Sequence, residues 1–167
     1  MTDYMTMTAD APISRSAAIK LYDAAGFEGM RRAGRLAAEI LDALVPHVVP
    51  GVTTGELDDI VRRMTLDGGG VPATLGYRGY THSCCTSINN VICHGIPSAK
   101  KVLKSGDCLN IDITVIKNEF HGDTSKMFFV GDVAPHAKRL CRITQECMYK
   151  GIEIVRPGVT LGDIGHV

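Results

Sequence analysis

Two carboxylates are the sharpest chemical feature of the sequence. Asp112 lies in the alternating run Cys108-Leu109-Asn110-Ile111-Asp112-Ile113-Thr114-Val115-Ile116, and Asp123 in the run that follows it. With Lys117-Asn118 as a two-residue hairpin loop, Ile116 pairs with Glu119 and Asp112 faces Asp123 directly. Directly opposed residues have Cβ atoms about 5 Å apart, and two carboxylates there repel unless a proton or a divalent cation lies between them. Hard oxygen ligands on rigid strands suit Mg, Mn, Fe or Zn. The same register pairs Thr114 with His121 and sets a hydroxyl and an imidazole beside the carboxylates. The competing reading is a bulge that shifts the register and leaves one Asp in solvent. Two carboxylates do not complete a metallohydrolase, which needs further ligands and a base to take a proton from water.

Other residues offer partial chemistry. His94 stands in Val91-Ile92-Cys93-His94-Gly95-Ile96-Pro97, where a strand ends. There it could project into a cleft and hydrogen-bond a substrate amide or an oxyanion; a core imidazole bonded to a backbone carbonyl is the plainer alternative. Leu75-Gly76-Tyr77-Arg78-Gly79-Tyr80 lacks the pattern of a phosphate loop. Its tyrosines could line an apolar pocket or pack as ordinary strand residues. The six cysteines, Cys84, Cys85, Cys93, Cys108, Cys141 and Cys147, contain no C-x-x-C pair and read as reduced thiols rather than as a zinc site or a disulfide framework. His47, His82, His136 and His166 read as surface residues.

These groups need a scaffold to position them. Phe27, Met30, Leu36, Ala37, Ile40, Leu41, Leu44, Val45 and Val48 fall at helical spacing, with Asp23 as N-cap and Pro50-Gly51 as the stop. Thr53 and Glu56 have capping-box spacing ahead of a second helix, which Gly68-Gly69-Gly70 ends. Residues 71–97 have β character, and 108–130 form a hairpin. A long helix is expected over 135–155, with Leu140, Ile143, Cys147 and Ile154 as core candidates. Pro50-Gly51-Val52-Thr53 recurs as Pro157-Gly158-Val159-Thr160, each copy after a long helix. The recurrence reads as a duplicated helix–turn–helix–sheet unit, or as an independent helix stop. The expected organisation is a flexible tail over 1–20 and one domain over 21–167, with a second pseudo-repeat starting near 135 and cut at 167.

Composition bounds the function. The chain has 167 residues, with 18 Lys+Arg against 18 Asp+Glu. A neutral chain without a basic run argues against nucleic acid or an anionic membrane as main partner. No run is long and apolar enough to span a bilayer and no leader is apparent, so a cytoplasmic protein is expected. Trp is absent and aromatic residues are 5%, which weakens functions built on base stacking.

Taken together, these blocks resemble the type I, bacterial methionine aminopeptidases. The matching segments are 30–38 (MRRAGRLAA), 50–58 (PGVTTGELD), Leu75-Gly76-Tyr77 with Tyr80, Ser87-Ile88-Asn89, Cys93-His94-Gly95-Ile96-Pro97, Asn110-Ile111-Asp112, 121–128 (HGDTSKMF) and 139–146 (RLCRITQE). The resemblance covers roughly residues 23–165.

It implies an α+β chain: the N-terminal half of a pita-bread fold, with an antiparallel sheet covered by helices and two pseudo-symmetric halves around a dinuclear metal centre. It implies hydrolytic removal of the initiator methionine from nascent proteins with a small second residue, in the cytoplasm. Two divalent ions (Mn, Fe, Co or Zn) are held in the family by two Asp, one His and two Glu. Asp112 and Asp123 match the two Asp, with Asp123 bridging the ions. His94 matches the histidine that contacts substrate and helps stabilise the tetrahedral intermediate. Tyr77, Tyr80 and Cys85 match the methionine pocket, and the carbonyls near Asn89 and Val91 match a monovalent-cation site. Thr74 stands where many relatives have a pocket cysteine. The family's remaining ligands, the general-base Glu among them, and a second catalytic His lie beyond Val167. The expectation is therefore a truncated chain, inactive or nearly so alone. Its partners would be nascent N-termini and the ribosome, and the full-length form would be a monomer. The alternatives are a non-catalytic peptide- or ribosome-binding half-fold, and a half-fold that pairs with a second chain to rebuild the sheet.

Overall fold

The computed structural model describes residues 22–167, together with the backbone of two short paired strands, β1 (Tyr4–Met5) and β2 (Ile19–Lys20). Apart from these strands, the tail expected over 1–20 lies outside the described residues. Helix α1 (Ala24–Ala43) starts where expected: the Asp23 carboxylate accepts the Gly26 N–H at 2.8 Å, satisfying one orphan donor of the first turn. Its stripe of Ala33, Leu36, Ala37, Ile40 and Leu41 is buried. A 3-10 turn (Val45–His47) and Gly51, at φ +97°, lead to α2 (Thr54–Asp67). Both halves of its capping box form. Thr53 Oγ1 accepts the Glu56 N–H at 3.2 Å, and the Glu56 carboxylate accepts the Thr53 N–H at 2.7 Å.

Four antiparallel strands make the sheet. The long central strand β5 (Cys108–Lys117) pairs along one edge with β3 (Val71–Pro72) and β4 (Cys85–Ile88), and along the other with β6 (Phe120–Phe129). Alternation splits β5 into two faces. Leu109, Ile111, Ile113 and Val115 are buried with Leu36, Ile40, Leu57 and Val61 of the two helices. Asn110, Asp112, Thr114 and Ile116 point the other way and are half-buried. Gly122 lets α1 lie against β6, since a Cβ there would sit 2.3 Å from the Ala33 backbone.

The hairpin register differs from the expected one. Asn118 and Glu119, at φ +50° and +69°, form the loop, so Lys117 pairs with Phe120 and Asp112 with Ser125. Two successive left-handed residues are the signature of a type I′ turn, whose twist matches the flanking strands. Lys117 stays in the strand and its ammonium donates to the Gly68 carbonyl at 2.6 Å. Asp123 therefore pairs with Thr114, and His121 with Ile116. The faces are unchanged, because the slip preserves parity.

Helix α3 (Pro135–Glu153) and helix α4 (Leu161–His166) follow. Three of the four core positions expected here are open: Leu140 is 67% exposed, and Ile143 and Cys147 are also exposed, while Ile154, at the helix end, is half-buried. An amphipathic pattern specifies a face without specifying its cover, and among the described residues little packs on this one. The repeated turn keeps its geometry. Gly158 has φ +93°, and Thr160 and Asp163 form a second capping box, with the Asp163 carboxylate accepting the Thr160 N–H at 2.8 Å.

Candidate functional site

The open face of the sheet gathers the polar residues. Cys85 of β4 lies opposite Asp112 of β5, and on β6 His121, Asp123 and Ser125 share the same side. Asp112 and Asp123 are diagonal neighbours, roughly 7 Å apart rather than directly opposed. They still feel one another. Burial first, and the Asp123 charge second, hold the Asp112 carboxyl above its ordinary range, while His94 pulls the other way. The imidazole of His94 is thus within electrostatic reach of Asp112.

Local backbone explains how His94 is presented. It is exposed and adopts φ +56°. The next residue is wedged against β4: the Gly95 N–H donates to Ser87 Oγ at 3.1 Å and its carbonyl accepts the Thr86 N–H at 2.7 Å. A Cβ on Gly95 would come within 2.1 Å of the Thr86 carbonyl oxygen, so only glycine fits.

A cavity of about 670 Å³ opens on this face, lined in part by Thr74, Tyr77, Tyr80, Cys85, His94 and His121. The Tyr77–Gly79 turn is flanked and closed by left-handed residues, Gly76, Arg78 and Gly79. Tyr77 is exposed at the rim. Tyr80 turns inward; its hydroxyl donates to the Cys84 carbonyl at 2.9 Å and lies 3.6 Å from Cys85 Sγ. Burial, reinforced by Cys85, pushes the Tyr80 phenol up, and burial also pushes the Cys85 thiol up, so both stay protonated at neutral pH. Thr74 uses its hydroxyl on the His82 carbonyl at 3.0 Å.

One buried carboxylate behind the site escaped sequence reasoning. Asp58 of α2 is only 7% exposed, and its Oδ1 accepts the N–H groups of Ser83 and Cys84 at 2.7 and 2.9 Å and the Cys84 thiol at 3.3 Å. It pins the segment that carries Cys85 to the helix behind it. The signal was present. Thr54, Asp58, Val61 and Thr65 fall on one stripe and are all buried, so a carboxylate occupies a core position.

Two carboxylates that burden one another on a half-buried face suit a hard divalent cation, but they are an incomplete ligand set. Among the described residues no three His, Cys, Asp or Glu converge to hold a metal ion.

A family model, metallopeptidase family M24, matches residues 28–167. The chain belongs to this metallopeptidase family. Among curated M24 relatives, methionine aminopeptidase of Salmonella typhimurium is 54% identical over 149 residues, 89% of this chain and 56% of that protein. The Rickettsia prowazekii methionine aminopeptidase is 52% identical and 57% covered. Its crystal structure superposes with a TM-score of 0.86 over 89% of this chain and 59% of that one. The Thermotoga maritima enzyme gives 0.84 at 32% identity, over 87% of this chain and 58% of that one. The chain thus has the pita-bread architecture in part, an α+β arrangement with an antiparallel sheet. It spans a little over half the length of these relatives.

Proposed function

We propose that this chain carries the N-terminal share of a methionine aminopeptidase site, in which Asp112 and Asp123 would hold divalent metal and His94, Tyr77, Tyr80 and Cys85 would contact substrate. The observation that carries this reading is the common open face: Asp112 lies opposite Cys85 and Asp123 opposite Thr114, and Cys85 and Thr114 line one cavity with Tyr77, Tyr80 and His94. Divalent ions such as Mn, Fe, Co or Zn, when bound, supply a Lewis acid and an activated water. The chain's own residues do the rest. Tyr80 and the un-ionised Cys85 offer an aromatic and a sulfur surface to an unbranched thioether side chain. His94 donates a hydrogen bond to the substrate carbonyl and stabilises charge that develops there. The carbonyls near Asn89 and Val91 are the proposed monovalent-cation site. The substrates would be N-termini of nascent chains in the cytoplasm, met at the ribosome, and the full-length form a monomer. No described helix is long and apolar enough to cross a membrane.

Two ligand residues do not hold a competent centre, so the 167-residue chain alone is expected to be inactive or nearly so. The test is release of methionine from Met-Ala by the purified chain with Mn or Co, beside Asp112→Asn. Turnover by the wild type that vanishes in the variant would overturn the inactivity and mean that the chain completes its site by assembly. The intact cavity beside an incomplete ligand set favours a second reading, peptide binding without cleavage. Calorimetry with a Met-initiated peptide that shows binding but no methionine release would select it.

A further inference from the structure

The mouth of the cavity carries a positive charge that the proposed site does not use. Arg78 lines the cavity together with Tyr80, Cys85 and His94, and is exposed to solvent. Its backbone is left-handed, at φ +48° and ψ +34°, between Gly76 at φ +86° and Gly79 at φ +83°. Glycine takes that conformation freely, whereas the Cβ of an arginine crowds its own backbone there. The turn is nevertheless held firmly. The Gly76 N–H donates to the Tyr80 carbonyl at 2.7 Å, the Tyr77 N–H to the Thr74 carbonyl at 3.0 Å and the Tyr80 N–H to the Tyr77 carbonyl at 2.9 Å. Residues held in such sparsely populated backbone regions gather at binding and catalytic sites. The guanidinium lies 5.4 Å from the centroid of the Tyr77 ring, a stacking that orients the planar donor group without neutralising it. Among the described residues no carboxylate pairs with Arg78, while Arg31, Arg32 and Arg142 each have a glutamate partner.

Size decides what meets this charge. The cavity volume of about 670 Å³ corresponds to a span of about 11 Å, three residues of extended chain at about 3.3–3.6 Å each. With a methionine seated against Tyr80 and Cys85, the third or fourth residue of the substrate is the one that reaches the rim. Arginine binds a carboxylate there through two parallel hydrogen bonds. Resting on the methionine-site reading above, we propose that Arg78 is a specificity-determining residue that favours N-termini with Asp or Glu at the third or fourth position. Tyr77 is the platform that keeps the guanidinium over the mouth. Lys or Arg at the same substrate positions is disfavoured by like charge. A pair at the rim stays partly solvated, so it sets a preference rather than a requirement.

Calorimetry on the 167-residue chain with Mn tests this, using amidated pentapeptides so that no terminal carboxylate competes. Met-Ala-Asp-Asp-Gly should bind roughly three- to fivefold tighter than Met-Ala-Asn-Asn-Gly, the scale of a half-exposed ion pair. Arg78→Gln should erase that difference and leave the affinity for the Asn peptide unchanged. Arg31→Gln removes a charge from α1, which packs on the other face of the sheet, and should keep the difference. Arg78→Gly suits the left-handed backbone, so it should melt no lower than the wild type and still lack the preference. Equal binding of the two peptides, a preference that survives Arg78→Gln, or one that falls equally in Arg31→Gln would overturn the role of Arg78 and leave the methionine site standing. If neither peptide binds, or if Ala-Ala-Asp-Asp-Gly binds as well as the methionine peptide, the methionine-site reading fails and the role of Arg78 with it. A lower melting temperature in Arg78→Gly would assign the arginine to the fold instead.

Discussion

At the scale of single residues, the face carries a cost that a bound ion would relieve. Asp112 holds its proton more tightly folded than unfolded, because burial and then Asp123 disfavour its charge. Its ionisation therefore lowers stability as pH rises. The penalty begins near the ordinary value of 3.8 and is complete above the raised folded value. With chelator present, Asp112→Asn should melt higher than the wild type at pH 7, and the gap should close below about pH 4. Excess Mn should raise the wild-type melting temperature and leave the variant unmoved. Thermal scans across pH check both statements. A variant that melts lower at pH 7 would show that the carboxylate is a stabilising partner instead. The sequence made these two acids legible through alternation alone. It concealed Asp58, since a charge inside a capping segment reads as a solvated face until Ser83 and Cys84, 25 and 26 residues away, are seen to donate to it.

At the scale of elements, local rules carried far and stopped where tertiary contacts decide. Capping chemistry is local, so Asp23 and Thr53-Glu56 marked both helix starts correctly. The hairpin loop was misplaced by one residue because Glu119 is a poor sequence signal for a left-handed position. What enforces that register lies elsewhere, in Lys117 reaching Gly68 and in Gly122 under α1. Gly122→Ala puts a methyl into the Ala33 backbone and must push α1 off the sheet. The expected loss is about 1–3 kcal/mol or more, read from denaturant midpoints. Unchanged stability would mean that the helix–sheet spacing is softer than the contact implies. The α3 stripe was legible as apolar, but whether anything covers it is not written in its periodicity.

At the scale of the molecule, the chain divides into a well-buried part and an uncovered one. The sheet with α1 and α2 holds nearly all of the core, whereas Leu140, Met148, Ile152, Val155 and Leu161 are more than half exposed. Exposed apolar surface, where contiguous, serves as an interaction site or an aggregation liability. A dye that reports exposed apolar surface should bind the folded chain, and Leu140→Glu with Ile152→Glu should abolish that signal without lowering the melting temperature. A large loss of stability in that double variant would show that the stripe is already packed. The two Pro-Gly-Val-Thr turns are alike in φ and in capping.

That uncovered helix also bears on how long the protein persists in a cell. Chaperones and proteases sort chains by accessible apolar segments, and small shifts in that access change abundance several-fold. A chain with the α3 stripe open is a standing client of this machinery, while the same chain with the stripe covered escapes it. Its half-life is then a readout of occupancy: turnover in vivo reports whether α3 has found its partner surface.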